Sequence, residues 1–166
     1  MLLRPARPQD ALAVAGVHVR AWQAGYRGLL PDAYLDGLRA EDRARRYTFD
    51  QTDSDRPQTI VAEVDDAILG FATTAPAQDV PGAGELAALH VDPAAWRRGI
   101  GAALIAAARA RLVDLGYGSA VLWLMVGNHR AAHFYQADGW IVEGAPRTAE
   151  VWGAHIEEIL YQRALP

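Results

Sequence analysis

Apolar residues recur at helical spacing from Leu12 through Val14, Val17, Val19 and Trp22, just after the capping run Pro8-Gln9-Asp10. This predicts a helix that fades at Gly25, preceded by a short strand over Leu2 to Ala6. Pro31-Asp32 opens a second predicted helix, with Leu35, Leu38 and Ala44 on one stripe and an end near Tyr47-Thr48-Phe49. The polar run from Asp50 to Gln58 reads as a loop. Thr59 to Glu63 and Ile68 to Thr74 are β-rich runs around Asp65-Asp66, which predicts a hairpin. A Pro/Gly loop over Pro76 to Gly84 leads to a strand over Glu85 to Val91. Ile100, Leu104, Ala108, Leu112 and Leu115 then mark a third long helix, stopped by Gly116. The apolar run 120–126 predicts a central strand and His129 to Ala137 a short helix. Strands near Ile141-Val142 and over Ile156 to Gln162 close the pattern.

Antiparallel hairpins leading into a βαβ unit, then a short helix and a closing hairpin, predict a mixed α/β (α+β) architecture rather than a doubly wound one. At 166 residues and 51% hydrophobic, the chain suits one domain over 1–166 that buries about two-thirds of its unfolded surface. No repeat, low-complexity tract or interdomain linker interrupts it.

Between the strand 85–91 and the third long helix stands Trp96-Arg97-Arg98-Gly99-Ile100-Gly101-Ala102. Here backbone N–H groups, a helix dipole and cationic side chains converge on one anion, and glycine lets a pyrophosphate approach the main chain. The ligand expected is a nucleotide-like cofactor. All 16 basic residues are arginine, which excludes a lysine-containing phosphate loop and a pyridoxal Schiff base. A dinucleotide fingerprint would need glycine at Leu104 and an acidic end to the strand 120–126, which is followed instead by Gly127-Asn128; both departures argue against a dehydrogenase.

A formal charge of −4 and a pI of about 5.7 give no general attraction to nucleic acid. The arginines at positions 43 to 46 form a local positive spot that reads as a solvated helix face. With no cysteine, disulfides, thiolate metal sites and a cysteinyl acyl-enzyme are excluded, and a cytoplasmic location is expected. The apolar run Ala11 to Val19 is far too short to span a membrane and carries no cleavage signal. His129 and His133 share a helix face, yet the acidic partner of a zinc motif is missing and Arg130 lies between them; no metal is expected.

Element order and motifs together resemble the GNAT superfamily of N-acetyltransferases, most strongly from Glu85 to Trp140. The family's Asn-x-x-Ala-x-x-Phe/Leu-Tyr-x-x-x-Gly-Phe/Trp pattern is complete in Asn128, Ala131, Phe134, Tyr135, Gly139 and Trp140. Its Gln/Arg-x-x-Gly-x-Gly/Ala loop is matched at Gly99 and Gly101 and departs at Trp96. The resemblance implies a mostly antiparallel central sheet of about seven strands flanked by helices, splayed at the cofactor site. It also implies acetyl transfer from acetyl-CoA to a primary amine of a small molecule or peptide. Leu89, His90 and Val91 would present main chain to the pantetheine arm, and Arg97, Arg98, Gly99, Ile100, Gly101 and Ala102 would hold the pyrophosphate. Asn128 would cap its helix and bond the arm.

An alkylamine of pKa about 10.4 is protonated at pH 7, and freeing its lone pair costs on the order of 4 to 5 kcal/mol. Glu85, working through a water, is the candidate base; the alternative is a strand-end carboxylate facing solvent. His90 is a second candidate, but its alternation with Leu86 and Ala88 suits a histidine packed on the sheet. The departing sulfur needs a proton, and Tyr135 matches the family's donor; its plain alternative is a half-buried helix aromatic. Without cysteine, direct attack in a ternary complex is expected. The acceptor cleft would lie between residues 21–31 and a loop over Gly144 to Gly153, with Trp22, Tyr26, Tyr34 and Trp152 as walls and Arg147 and Glu150 nearby. A non-catalytic acyl-CoA sensor or interaction module is the rival reading, and homodimers are common in the family.

Overall fold

The computed structural model describes residues 1–50, 53 and 56–166. Its strands are β1 (Leu2–Pro5), β2 (Gln58–Val64), β3 (Ala67–Pro76), β4 (Gly84–Val91), β5 (Ser119–Met125), β6 (Ile141–Val151) and β7 (Ala154–Ala164). They form one seven-stranded sheet in the order β1-β2-β3-β4-β5-β7-β6. Every neighbouring pair is antiparallel except β4 and β5. Part of the predicted loop from Asp50 to Gln58 lies outside the described residues.

Helices cover both faces, and the pleat divides the core between them. On one face lie α1 (Ala11–Gly25), α2 (Asp32–Gly37) and α3 (Ala40–Ala44); on the other lie α4 (Ile100–Asp114) and α5 (His129–Ala137). Val14 and Val17 of α1 pack on Val61 and Phe71. The next residues along those strands, Ala62 and Ala72, point the opposite way, into a core with Ile100, Leu104, Ile105, Ala108 and Leu112 of α4. A third cluster joins Trp22, Leu35 and Met125 to Ala154 and Ile156 of β7.

Two elements differ from the sequence expectation, and both bear on the site. The helix expected from Pro31 to Phe49 is broken, because Leu38 and Arg39 are extended between α2 and α3. Gly37 weakens the helix there, and Gln23 Nε2 donates to the carbonyl of Leu35 at 3.0 Å near its end. The segment expected as a loop over Gly144 to Gly153 is mostly strand. β6 and β7 pair from Ile141↔Gln162 to Val151↔Ala154, with one register irregularity between Glu143 and Arg147. Pro146 and Gly144 fall inside that irregularity, where a missing ladder donor is tolerated. The turn is Trp152-Gly153, both at positive φ, as two-residue hairpins require.

β4 and β5 meet only at Gly84↔Ala120 and Glu85↔Val121. Beyond that pair they diverge, and β5 continues in register with β7 alone. An extra residue in β4, where the register with β3 shifts between Thr73 and Thr74, bends it at the start of the divergence. The contact itself is close: a Cβ on Gly84 would lie 2.6 Å from Leu112 Cδ2 and 3.1 Å from the Tyr117 ring. Gly84→Ala is therefore expected to destabilise the protein by about 1–3 kcal/mol through overpacking, measured as a lower urea midpoint at unchanged m-value.

Candidate active site

The gap between β4 and β5 opens into a cleft of about 990 Å³ that runs from the start of α4, past α5, to α1 and the β6–β7 turn. Its end beside the start of α4 is built from main chain. Gly99 takes the left-handed conformation at φ 80°, which favours glycine, and Arg97 before it also has positive φ. Ala103 N–H reaches back to the Gly99 carbonyl at 3.1 Å. The amides of Ile100, Gly101 and Ala102 therefore belong to the first turn, which has no intrahelical acceptor for them. All three residues line the cleft.

Trp96, at the departure from the family motif, is used structurally. Its indole Nε1 donates to the Val91 carbonyl at 2.8 Å, tying the loop to the end of β4, and the Arg130 guanidinium stacks over its ring at 3.4 Å. Asp92 accepts from Ala94 N at 3.0 Å and pairs with Arg20 at 2.6 Å, which fixes the turn out of β4. Because Asp92 N–H donates to Leu69 on β3, alternation along the strand turns the amides of Leu89 and Val91 toward the gap. Both residues and His90 line it. An extended chain with its own amides and an anionic end fits this arrangement. Arg97 reaches the cleft, whereas Arg98 is exposed and is not among its lining residues.

α5 supplies two polar groups. Asn128, buried at its start, accepts from Ala131 N at 3.2 Å, which leaves its amide nitrogen available. Tyr135 is 8% exposed, packs edge-on against Phe134 and Trp140, and lines the cleft. Its hydroxyl makes no hydrogen bond to the described residues. Burial, then the nearby Tyr26 phenol, push it above the ordinary tyrosine range, so it holds its proton at neutral pH. Burial also pushes Tyr26 up, to about 12, against the opposing charge of Arg130.

Glu85 sits at the apex of the gap, half-buried. Loss of hydration raises it above the usual carboxylate range; Asp79 and Glu158 add to this, while Arg147 opposes it. Arg147 bonds Glu158 at 2.9 Å and Asp79 at 2.7 Å and stacks on Trp123 at 3.5 Å. At the α1 end, His18 and His90 stack at 4.5 Å, with Trp152 at 4.8 Å from His18. His18 Nδ1 lies 2.7 Å from Tyr47 Oη and 3.2 Å from Arg43 Nε. A guanidinium can only donate, so Nδ1 is the lone-pair nitrogen and Nε2 carries the proton. Trp22 and Tyr26 complete the wall. Tyr34 does not line the cleft; its hydroxyl donates to the Trp152 carbonyl at 2.5 Å and holds the turn from behind.

The structure thus brings Glu85, Leu89 to Val91, Arg97, Gly99 to Ala102, Asn128, Tyr135, Trp22, Tyr26 and Trp152 together and leaves Arg98 and Tyr34 outside. Sequence reasoning missed His18, Arg130, Trp123 and Glu158. It also read Arg43 as solvated along with Arg45 and Arg46. Those two are exposed, but Arg43 is half-buried in the cleft. The recurrence of Arg43 and Tyr47 four apart was the available signal. His129 and His133 are both exposed. Glu150 is exposed and lies outside the cleft lining.

The model of the acetyltransferase (GNAT) family matches residues 22–140, and the chain belongs to that family. It is 27% identical over 137 residues to the N-acetyltransferase YuaI of Bacillus subtilis, covering 81% of this chain and 77% of that one. Over 78 residues it is 38% identical to mycothiol acetyltransferase of Rhodococcus erythropolis, covering 45% of this chain and 26% of that one. The fold matches PaiA N-acetyltransferase of Thermoplasma acidophilum, solved in complex with coenzyme A, at a TM-score of 0.78, 17% identity and 98% coverage of both chains. The chain is an acyltransferase of this acetyl-CoA-using family. No helix among the described residues is long and apolar enough to cross a membrane.

Burial, followed by the charges of Arg43 and Arg130, pushes His90 down to about 3; burial, then His90 and Arg43, hold His18 well below its ordinary value. Both rings are neutral in the fold but take protons once unfolded below pH about 6.5. Stability is therefore full above that pH and falls as pH drops, because the unfolded chain binds more protons. His90→Phe is expected to remove up to about 1.4 kcal/mol per pH unit of that slope. Denaturant titrations between about pH 4 and 6.5 check this; an unchanged slope would show that His90 titrates normally.

Proposed function

We propose that the chain transfers the acetyl group of acetyl-CoA to a primary amine of a small molecule or peptide by direct attack, with both substrates bound together. One observation carries this reading: an open strand gap joins first-turn amides at one end to the Tyr135 hydroxyl, all without a hydrogen-bond partner among the described residues. Acetyl-CoA, when bound, supplies the acyl group already activated as a thioester. The amides from Ile100 to Ala102 and the charge of Arg97 would hold its pyrophosphate, and the gap-facing edge of Leu89 to Val91 would align its arm. Asn128 offers its amide nitrogen to the same arm.

Glu85 accepts the proton that the amine must lose, through a water in the apex of the gap. Its raised affinity for protons makes it a stronger base than an ordinary glutamate once ionised. Tyr135 holds a proton on Oη and delivers it to the departing sulfur. The absence of cysteine from the sequence leaves no thiol for a covalent acyl-enzyme.

Tyr135→Phe is expected to lower kcat by about 100-fold or more while calorimetry finds CoA affinity nearly unchanged, which separates a proton donor from a packing aromatic. Glu85→Gln is expected to lower kcat/KM by about 10- to 100-fold near pH 7, with partial recovery at higher pH as more amine is free. Thiol release on an amine panel, with initial rates varied in both substrates, reads both variants. Tight CoA binding without thiol release from any amine would favour the sensor.

A further inference from the structure

The walls of the acceptor end are unequal in charge. Toward the apex, Glu85 and Glu158 line the cleft, and the one cation there, Arg147, is already engaged by Glu158 and Asp79. Toward α3 stands Arg43, which has no carboxylate partner among the described residues. Only its Nε is used, directed at His18 Nδ1 at 3.2 Å and Tyr47 Oη at 3.4 Å. The flat group is steadied by two aromatic faces, Trp152 at 4.8 Å and Tyr47 at 5.2 Å. Nη1 and Nη2 make no hydrogen bond to the described residues and are not among the buried unsatisfied atoms, so they are open to solvent on a residue that lines the cleft. Trp22, also on this wall, buries its indole N–H without an acceptor among the described residues, its ring centroid 5.0 Å from that of Trp152. Donors are thus in excess here and acceptors are missing.

A half-buried guanidinium with an unused pair of nitrogens is a fork shaped for a carboxylate. Leaving it without an anion in a partly desolvated site is costly. Its immobilisation by Trp152, Tyr47 and His18 means that little side-chain entropy is lost on binding. Resting on the proposed acetyl transfer, we infer that the acceptor is an amine whose own frame carries a carboxylate, an amino-acid-like zwitterion. Its ammonium lies toward Glu85 and its carboxylate pairs with Arg43. Arg43 is then a specificity-determining residue, and Trp22 and Trp152 enclose the apolar part of the acceptor.

The test compares L-phenylalanine, L-methionine and 4-aminobutyrate with their carboxamides, on CoA-loaded protein by tryptophan fluorescence and with acetyl-CoA by thiol release. At least one carboxylate is expected to bind and react about tenfold or more better than its carboxamide. Arg43→Met should reduce that ratio to within about twofold and Arg43→Lys should restore part of it, with CoA calorimetry confirming that both variants are folded. Equal use of acid and amide by the wild type, or a preference that survives in Arg43→Met, overturns the inference while leaving acetyl transfer intact. Preferential binding of carboxylates with no thiol release from any amine overturns the transferase reading and leaves carboxylate recognition standing.

Discussion

The structure depends on the early parting of two parallel strands. β4 and β5 share two residue pairs and then separate, so a row of main-chain groups in the middle of the sheet has no strand partner. A buried, unsatisfied amide or carbonyl costs about 1–3 kcal/mol, which a sheet normally avoids by closing. Two features hold this gap open. The extra residue in β4 bends it away, and the full pairing of β5 with β7 along Ser119 to Met125 commits β5 to its other neighbour. The unpaired edge is consequently available to an extended ligand, and α4 and α5 both begin beside it.

The polar groups around the gap follow from that opening. Most of the aromatic wall is buried on the sheet side, which keeps His18 and His90 neutral and Tyr135 protonated. The same loss of hydration raises Glu85. One environment therefore keeps Tyr135 protonated and moves Glu85 toward the neutral range in which a carboxylate is an effective base. The arginines divide by role: Arg147 balances carboxylates, Arg130 stacks on Trp96, and Arg43 stands apart, its terminal nitrogens without an acceptor among the described residues.

What was legible in the sequence was local. The strand, glycine loop and helix from Glu85 to Leu115, and the helix containing Asn128 and Tyr135, are encoded by residues adjacent in the chain. Their spacing gives the open amides and the phenol separately, and the resemblance to the family implied that they serve one site. What was not legible depends on where distant elements meet. Arg43 enters the cleft because Leu38 and Arg39 break the second helix and let α3 pack beside α1, which no periodicity announces. Glu158 pairs with Arg147 only through the register of β6 on β7, set by an irregularity around Pro146. Tyr34 is separated from the cleft by the turn it supports, although its type and position suited a wall.

The central claim is that the free edge of β4 and the first turn of α4 receive one extended, anionic ligand. Amide hydrogen exchange with and without saturating CoA tests it most directly, because it reads main-chain groups independently of turnover. Slowed exchange at Leu89, Val91 and Ile100 to Ala102, with little change in β1 and β2, is the predicted result. The same exchange at those amides in both states, under conditions where CoA is bound, would contradict it.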